Sequence, residues 1–127
     1  MLWLVAGGSA AGGVCRFLVS GLLQSRPPAG FPVGTFVVNV TGAIAVGFVL
    51  RWALGTPSVS PEVRALLTTG FLGGYTTFST FSYETVALFE AGELRRALLY
   101  AVASVVLSVL GTMLGIAVAD SIIGRRS

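Results

Sequence analysis

Gly70-Phe71-Leu72-Gly73-Gly74-Tyr75-Thr76-Thr77-Phe78-Ser79-Thr80-Phe81-Ser82 is the stretch that decides how this chain folds. It lies inside an apolar segment long enough to cross a membrane. Two adjacent glycines followed by hydroxyl residues nevertheless make it a poor helix in isolation. At membrane depth, non-helical backbone is tolerated only where protein or a water-filled cavity satisfies its polar groups. Two readings are open. One is a helix kinked for packing, with Gly70 and Gly74 four apart as a contact face. The other is a break with an ionic role, because broken helices present carbonyl and amide ends at mid-membrane, where ions are coordinated. The second is favoured.

The surrounding chain supplies the membrane setting. Of 127 residues, 54% are hydrophobic and 10% charged. Soluble domains carry about 25% charged residues, so this chain could not cover a water-facing surface. Seventeen glycines suit packed membrane helices, whose backbones approach closely through small residues. Four segments, about 2–23, 32–54, 62–90 and 95–122, have the roughly 20 residues that a membrane crossing needs. The connections carry turn residues: Pro27, Pro28 and Gly30 in the first, Pro57 and Pro61 in the second, Gly92 in the third. Residues 1–127 are thus expected to form a single all-α membrane domain of four helices, the third broken near its middle. Met1 to Leu23 lacks a basic leader and contains Arg16, so it reads as a retained helix rather than a signal peptide.

Charge and composition exclude several functions. All eight basic residues are arginine, against five acids. They sit at the ends of apolar segments, where they anchor helices at headgroups, so nucleic acid is not an expected partner. The single Cys15 permits no internal disulfide and no multi-cysteine metal site. Histidine, the usual general base and metal ligand, is absent. There are no paired carboxylates within a span and no phosphate loop. The Gly7 to Gly13 cluster lacks the GxGxxG spacing, and small-residue packing through Gly8 and Gly12 explains it better. An enzyme is not expected.

Polar side chains inside apolar segments are costly and face a pathway or a partner helix. Thr35 and Asn39 share a face with Gly42. Tyr100, Ser104, Ser108 and Thr112 recur every four residues and form a stripe along one side of their helix. Helix–helix hydrogen bonding would account for one such hydroxyl; four in register, with Asn39, favour a polar track. Such a track offers hydrogen-bond donors without fixed positive charge, and conduction requires sites weak enough to leave. Arg16 is the one basic residue well within a span; at a vestibule it would draw anions to an entrance or pair with a neighbouring group. Glu84, beyond the break, is placed at the opposite mouth. Phe78 and Phe81 share a face. Their ring edges could contact an anion, although lipid or packing contact is the better reading of two phenylalanines taken alone.

With those residues in view, the chain resembles the bacterial Fluc (CrcB) fluoride channels over nearly its whole length. The strongest match is Gly73-Gly74-Tyr75-Thr76-Thr77-Phe78-Ser79-Thr80-Phe81, with Tyr75 where the family usually has leucine. Gly34-Thr35-Phe36-Val37-Val38-Asn39 with Gly42 is similar to a second motif. Gly8, Gly12 and Arg16-Phe17 resemble the first-helix motif, with conservative departures at Ser9, Gly13 and Phe17. The resemblance implies an antiparallel, dual-topology homodimer in the bacterial plasma membrane, with two pores each lined by both subunits. It places Phe78, Phe81, Asn39, Thr35, Tyr100, Ser104 and Ser108 on the fluoride path. It also implies a structural, non-transported sodium held by the backbone carbonyls of Gly73 and Thr76. The implied function is passive fluoride export that lowers its cytoplasmic toxicity.

A small proton-coupled multidrug exporter is the alternative. That chemistry needs a membrane-embedded carboxylate in the first helix, and residues 2–23 contain no Asp or Glu. The arginines bear on orientation independently. With four spans, Arg51, Arg64, Arg125 and Arg126 flank one side and Arg26, Arg95 and Arg96 the other. Orientation follows the excess of Lys and Arg in short cytoplasmic loops, and four against three gives almost none. Insertion in both directions is expected.

Overall fold

The computed structural model describes residues 1–24 and 30–124. Arg26, Pro27, Pro28, Arg125 and Arg126 lie outside the described residues. Three helices are long and apolar enough to cross a membrane: α1 (Leu2–Gln24), α2 (Val33–Leu54) and α6 (Leu94–Gly124). Their ends fall within two residues of the expected ones, because an uninterrupted apolar run leaves the backbone no alternative to internal hydrogen bonding in lipid. Every regular element among the described residues is helical, and none is a strand.

Between α2 and α6 the chain is segmented. Helix α3 (Pro61–Ala65) starts on Ser60, whose side chain accepts from the Val63 N–H, with Pro61 in the first turn. It runs into a π-helical stretch, Leu66–Leu72, then into the short α4 (Gly73–Tyr75). Thr76 and Thr77 are extended, at φ −85°, ψ 157° and φ −151°, ψ 113°. Thr77 then caps α5 (Phe78–Glu90), its hydroxyl accepting from the Thr80 N–H at 3.2 Å. Gly92, at φ +79°, turns the chain into α6.

The break therefore exists but falls on the two threonines, not on the glycines before them. Gly73 has helical dihedrals, φ −63° and ψ −38°. The glycines of this segment serve packing against α1. A Cβ on Gly74 would run into the Ser9 backbone, and one on Gly12 into the Phe71 carbonyl. Packing and a break are both present, on different residues: Gly70 and Gly74 make the contact face, and Thr76–Thr77 make the break.

Helix α2 packs most extensively on α6. The two backbones meet where Gly47 lies on Thr112 and Gly115 lies on Ile44 and Phe48. The Gly8/Gly12 and Gly111/Gly115 faces thus pack helices of one chain against each other. At the far end of this pair Arg51 meets both carboxylate oxygens of Asp120 at 3.0 Å.

Candidate functional site

The break is tied down by side chains from two other helices. The Asn39 amide of α2 pairs with both backbone groups of Thr77: Nδ2 donates to the carbonyl at 3.0 Å, and the Thr77 N–H donates to Oδ1 at 2.8 Å. The side chain thereby stands in for the backbone neighbour that an extended residue would have in a sheet. Arg16 of α1 donates from Nε to the Gly74 carbonyl at 3.0 Å. Thr76 Oγ1 and the Thr76 N–H both donate to the Leu72 carbonyl, at 2.9 and 3.0 Å. Carbonyls in the last turn of a helix have no intrahelical donor. Those of Leu72 and Gly74, and the Thr77 carbonyl beyond the turn, are met in these ways, whereas the Gly73 and Thr76 carbonyls accept no side-chain hydrogen bond among the described residues. Both line a cavity of about 340 Å³ together with Asn39, Gly42, Thr68 and Thr112.

A second cavity, of about 230 Å³, opens on the other side of the break. It is lined by Asn39, Thr76, Thr77, Phe78, Phe81, Ser104, Val105 and Ser108. Five residues expected on the path are thus brought together here: Asn39, Phe78, Phe81, Ser104 and Ser108. Ser104 is buried, and its hydroxyl has no hydrogen-bond partner among the described residues. In an apolar interior that is an uncompensated cost, and helix α6 positions it there as the middle of the hydroxyl stripe. Thr112, the last hydroxyl of the stripe, is not part of this cavity. Its Oγ1 donates to the Ala43 and Ser108 carbonyls at 3.1 Å, a helix–helix tie.

Aromatic rings continue the row beyond the cavity. Phe78 is 77% exposed and lies 5.6 Å from Phe81, centroid to centroid. Phe81 lies 5.1 Å from Tyr100, which is fully buried, and Phe31 meets the other side of Tyr100 edge-on at 5.4 Å. The Tyr100 hydroxyl donates to Glu84 Oε1 at 3.4 Å, and Thr35 is buried nearby. Glu84 in turn borders an open pocket with Gln24, Gly30, Phe31 and Pro32. The order along the molecule is therefore Asn39 and Ser104 beside Phe78, then Phe81, then Tyr100 with Thr35, and Glu84 at an opening.

Arg16 lies within the span and pairs with a neighbouring group, the second of the two roles open to it. Three features went unread in the sequence. Asn39 satisfies backbone as well as lining a cavity; a polar residue level with a break in another helix is the signal that could have suggested it. The π-helical stretch has no residue signature. Tyr75 stacks on Phe71, with centroids 6.2 Å apart, and its hydroxyl lies 3.0 Å from that of Thr41.

Known proteins match this chain over nearly its whole length. The family model described as CrcB-like protein, Camphor Resistance (CrcB), matches residues 3–116. The chain is 46% identical to the fluoride-specific ion channel FluC of Rhizobium meliloti, over 90% of this chain and 91% of that one. It is 42% identical to the FluC of Aquifex aeolicus, over 96% and 98% of the two chains. With the FluC of Methanopyrus kandleri the identity is 48%, over 97% and 92%. These matches span the three apolar helices and the broken segment alike, and a multi-pass membrane protein of the CrcB family is what this chain is.

Proposed function

We propose that the chain is a fluoride-specific ion channel, not an enzyme, through which fluoride leaves the cytoplasm passively down its electrochemical gradient. The relatives that match nearly its whole length are named for that activity. The observation that carries the reading is the buried Ser104 hydroxyl, without a partner among the described residues, in a cavity shared with Asn39, Ser108, Phe78 and Phe81. An anion leaving water must exchange its hydration for other donors. A hydroxyl and an amide provide them without the fixed charge that would trap it, and phenyl edges add weak positive potential. Sites that are each weak, in a row, allow passage rather than storage. Arg16 would hold the Gly74 carbonyl beside a vestibule, and Glu84 would act at the opposite mouth. A proton-coupled multidrug exporter fits less well, because α1 carries no acidic residue.

The broken segment Pro61–Glu90 is the fourth membrane crossing in this reading, and residues 1–127 form one domain. A structural sodium ion would be held by the Gly73 and Thr76 carbonyls. These are hard oxygen donors at the end of α4, of the kind such a cation prefers, and no cluster of acidic, cysteine or histidine ligands stands near among the described residues. Sodium would neutralise the carbonyl end of the broken helix. The functional unit is an antiparallel homodimer. Phe78, Ser79 and Thr41 are exposed on a single chain although they lie within apolar segments, and polar groups at that depth call for a protein cover.

Efflux from liposomes containing the purified protein tests the function. Fluoride should leave rapidly and chloride should be retained. Comparable chloride efflux would refute the proposal.

A further inference from the structure

We propose that Tyr75 is a positioning residue for the ion pathway, forming with Asn39 a splint that fixes the helix break to one turn of α2. The inference rests on the channel reading above and assigns a role to the residue that departs from the family's usual leucine. Thr41 Oγ1 lies 2.7 Å from the Val37 carbonyl and 3.2 Å from that of Val38, neither of which can donate. The single hydroxyl proton of Thr41 is therefore spent there. In the Thr41–Tyr75 contact of 3.0 Å, Tyr75 is the donor. A chain results, from the Tyr75 hydroxyl to the Thr41 hydroxyl to the Val37 carbonyl.

Its position gives the chain its consequence. Thr41 holds residue 75, the last before the extended pair, while Asn39 holds residue 77, the last before α5. The two anchors are two residues apart on the same helix, so α2 spans the break as a rigid bridge. Stacking on Phe71 fixes the plane of the Tyr75 ring, and the ring lies against α2 beside Gly42. What stands between the anchors is Thr76, which lines both cavities, and immediately beyond them is Phe78. The tyrosine thus acts through the backbone it holds, not by touching the ion.

The test uses Tyr75→Phe, which removes only the hydroxyl, Thr41→Val, which removes only its partner, and the double variant. Each protein is reconstituted in liposomes at low density. Two quantities are read: the fraction of vesicles that release fluoride, and the rate of release from those that do. A purely structural role would lower the fraction. Positioning lowers the rate, by about fivefold for one net hydrogen bond, with the fraction unchanged and the double variant no slower than either single one. Amide hydrogen exchange over residues 76–81 should rise in all three variants, with α6 unaffected. Unchanged rates, additive effects of the two substitutions, or unchanged exchange at the break would each overturn the proposal. If the unmodified protein passes no fluoride the channel reading fails, and the exchange measurement alone then decides whether the splint exists.

Discussion

Removing the Ser104 hydroxyl should make the protein more stable and less active. The group is buried and has no partner among the described residues, and an unsatisfied buried hydroxyl costs about 1–3 kcal/mol. In Ser104→Ala that cost disappears, and alanine is the better helix former by a few tenths of a kcal/mol. In lipid the unfolded reference also finds partners for its polar groups, which places the expected gain near 1 kcal/mol. For a chain of this length that is a rise of roughly 3–5 °C in the unfolding midpoint. Function should move the other way. A hydrogen bond to a charged species is worth about 1.5–3 kcal/mol, so losing one donor should slow fluoride efflux by roughly tenfold or more. Thermal unfolding in detergent and efflux measured with a fluoride electrode give the two numbers. Thr112→Ala is the control from the same stripe. Its hydroxyl bonds the Ala43 carbonyl, so its loss should lower stability by about 1 kcal/mol and leave the rate intact. A Ser104→Ala protein that is less stable and equally fast would refute the reasoning.

Asn39→Asp keeps the acceptor for the Thr77 N–H but replaces the donor to the Thr77 carbonyl with an oxygen. The unmet carbonyl and the part-buried charge together cost up to about 3–5 kcal/mol, and fluoride efflux should fall below detection. Gly12→Ala drives a methyl group into the Phe71 carbonyl. Overpacking of this kind costs about 1–3 kcal/mol and should show as a lower midpoint and reduced yield in size-exclusion chromatography. Arg51→Ala breaks an ion pair, made through Nη1 alone, whose two side chains are half exposed; the loss should not exceed about 1 kcal/mol, with efflux unchanged.

The three long helices were legible in the sequence because length and apolarity suffice to specify a spanning helix. The segment around Gly73 was legible only in kind. Peptide-scale propensities put the weak point at the paired glycines, but those residues are required by the close approach of α1 at Ser9 and remain helical. The chain comes apart where Asn39 can replace the lost backbone partner, a contact between residues 38 positions apart that no local pattern records. The hydroxyl stripe of α6 was read as one feature and proves to be two. Ser104 and Ser108 border a cavity whereas Thr112 ties α6 to α2, a division that depends on where α2 crosses. Phe81 packs on Tyr100, as phenylalanines generally do, while Phe78 stands largely exposed; residue type alone could not separate them.

The pairing of Asn39 with Thr77 has a further chemical consequence. Both bonds use the same edge of the planar carboxamide, the oxygen and one of the two amide hydrogens. Turning the group over would set oxygen against oxygen and nitrogen against N–H, so its polarity is locked. The second Nδ2 hydrogen is then left as a donor whose direction is set by the backbone of another helix, in a residue that borders both cavities. It has no rotation left to lose when a guest arrives, and preorganised groups of this kind bind without the entropic loss that a free side chain incurs. The torsional freedom of this amide was given up at folding, to hold the break, and the fixed orientation of its remaining donor follows from that same constraint.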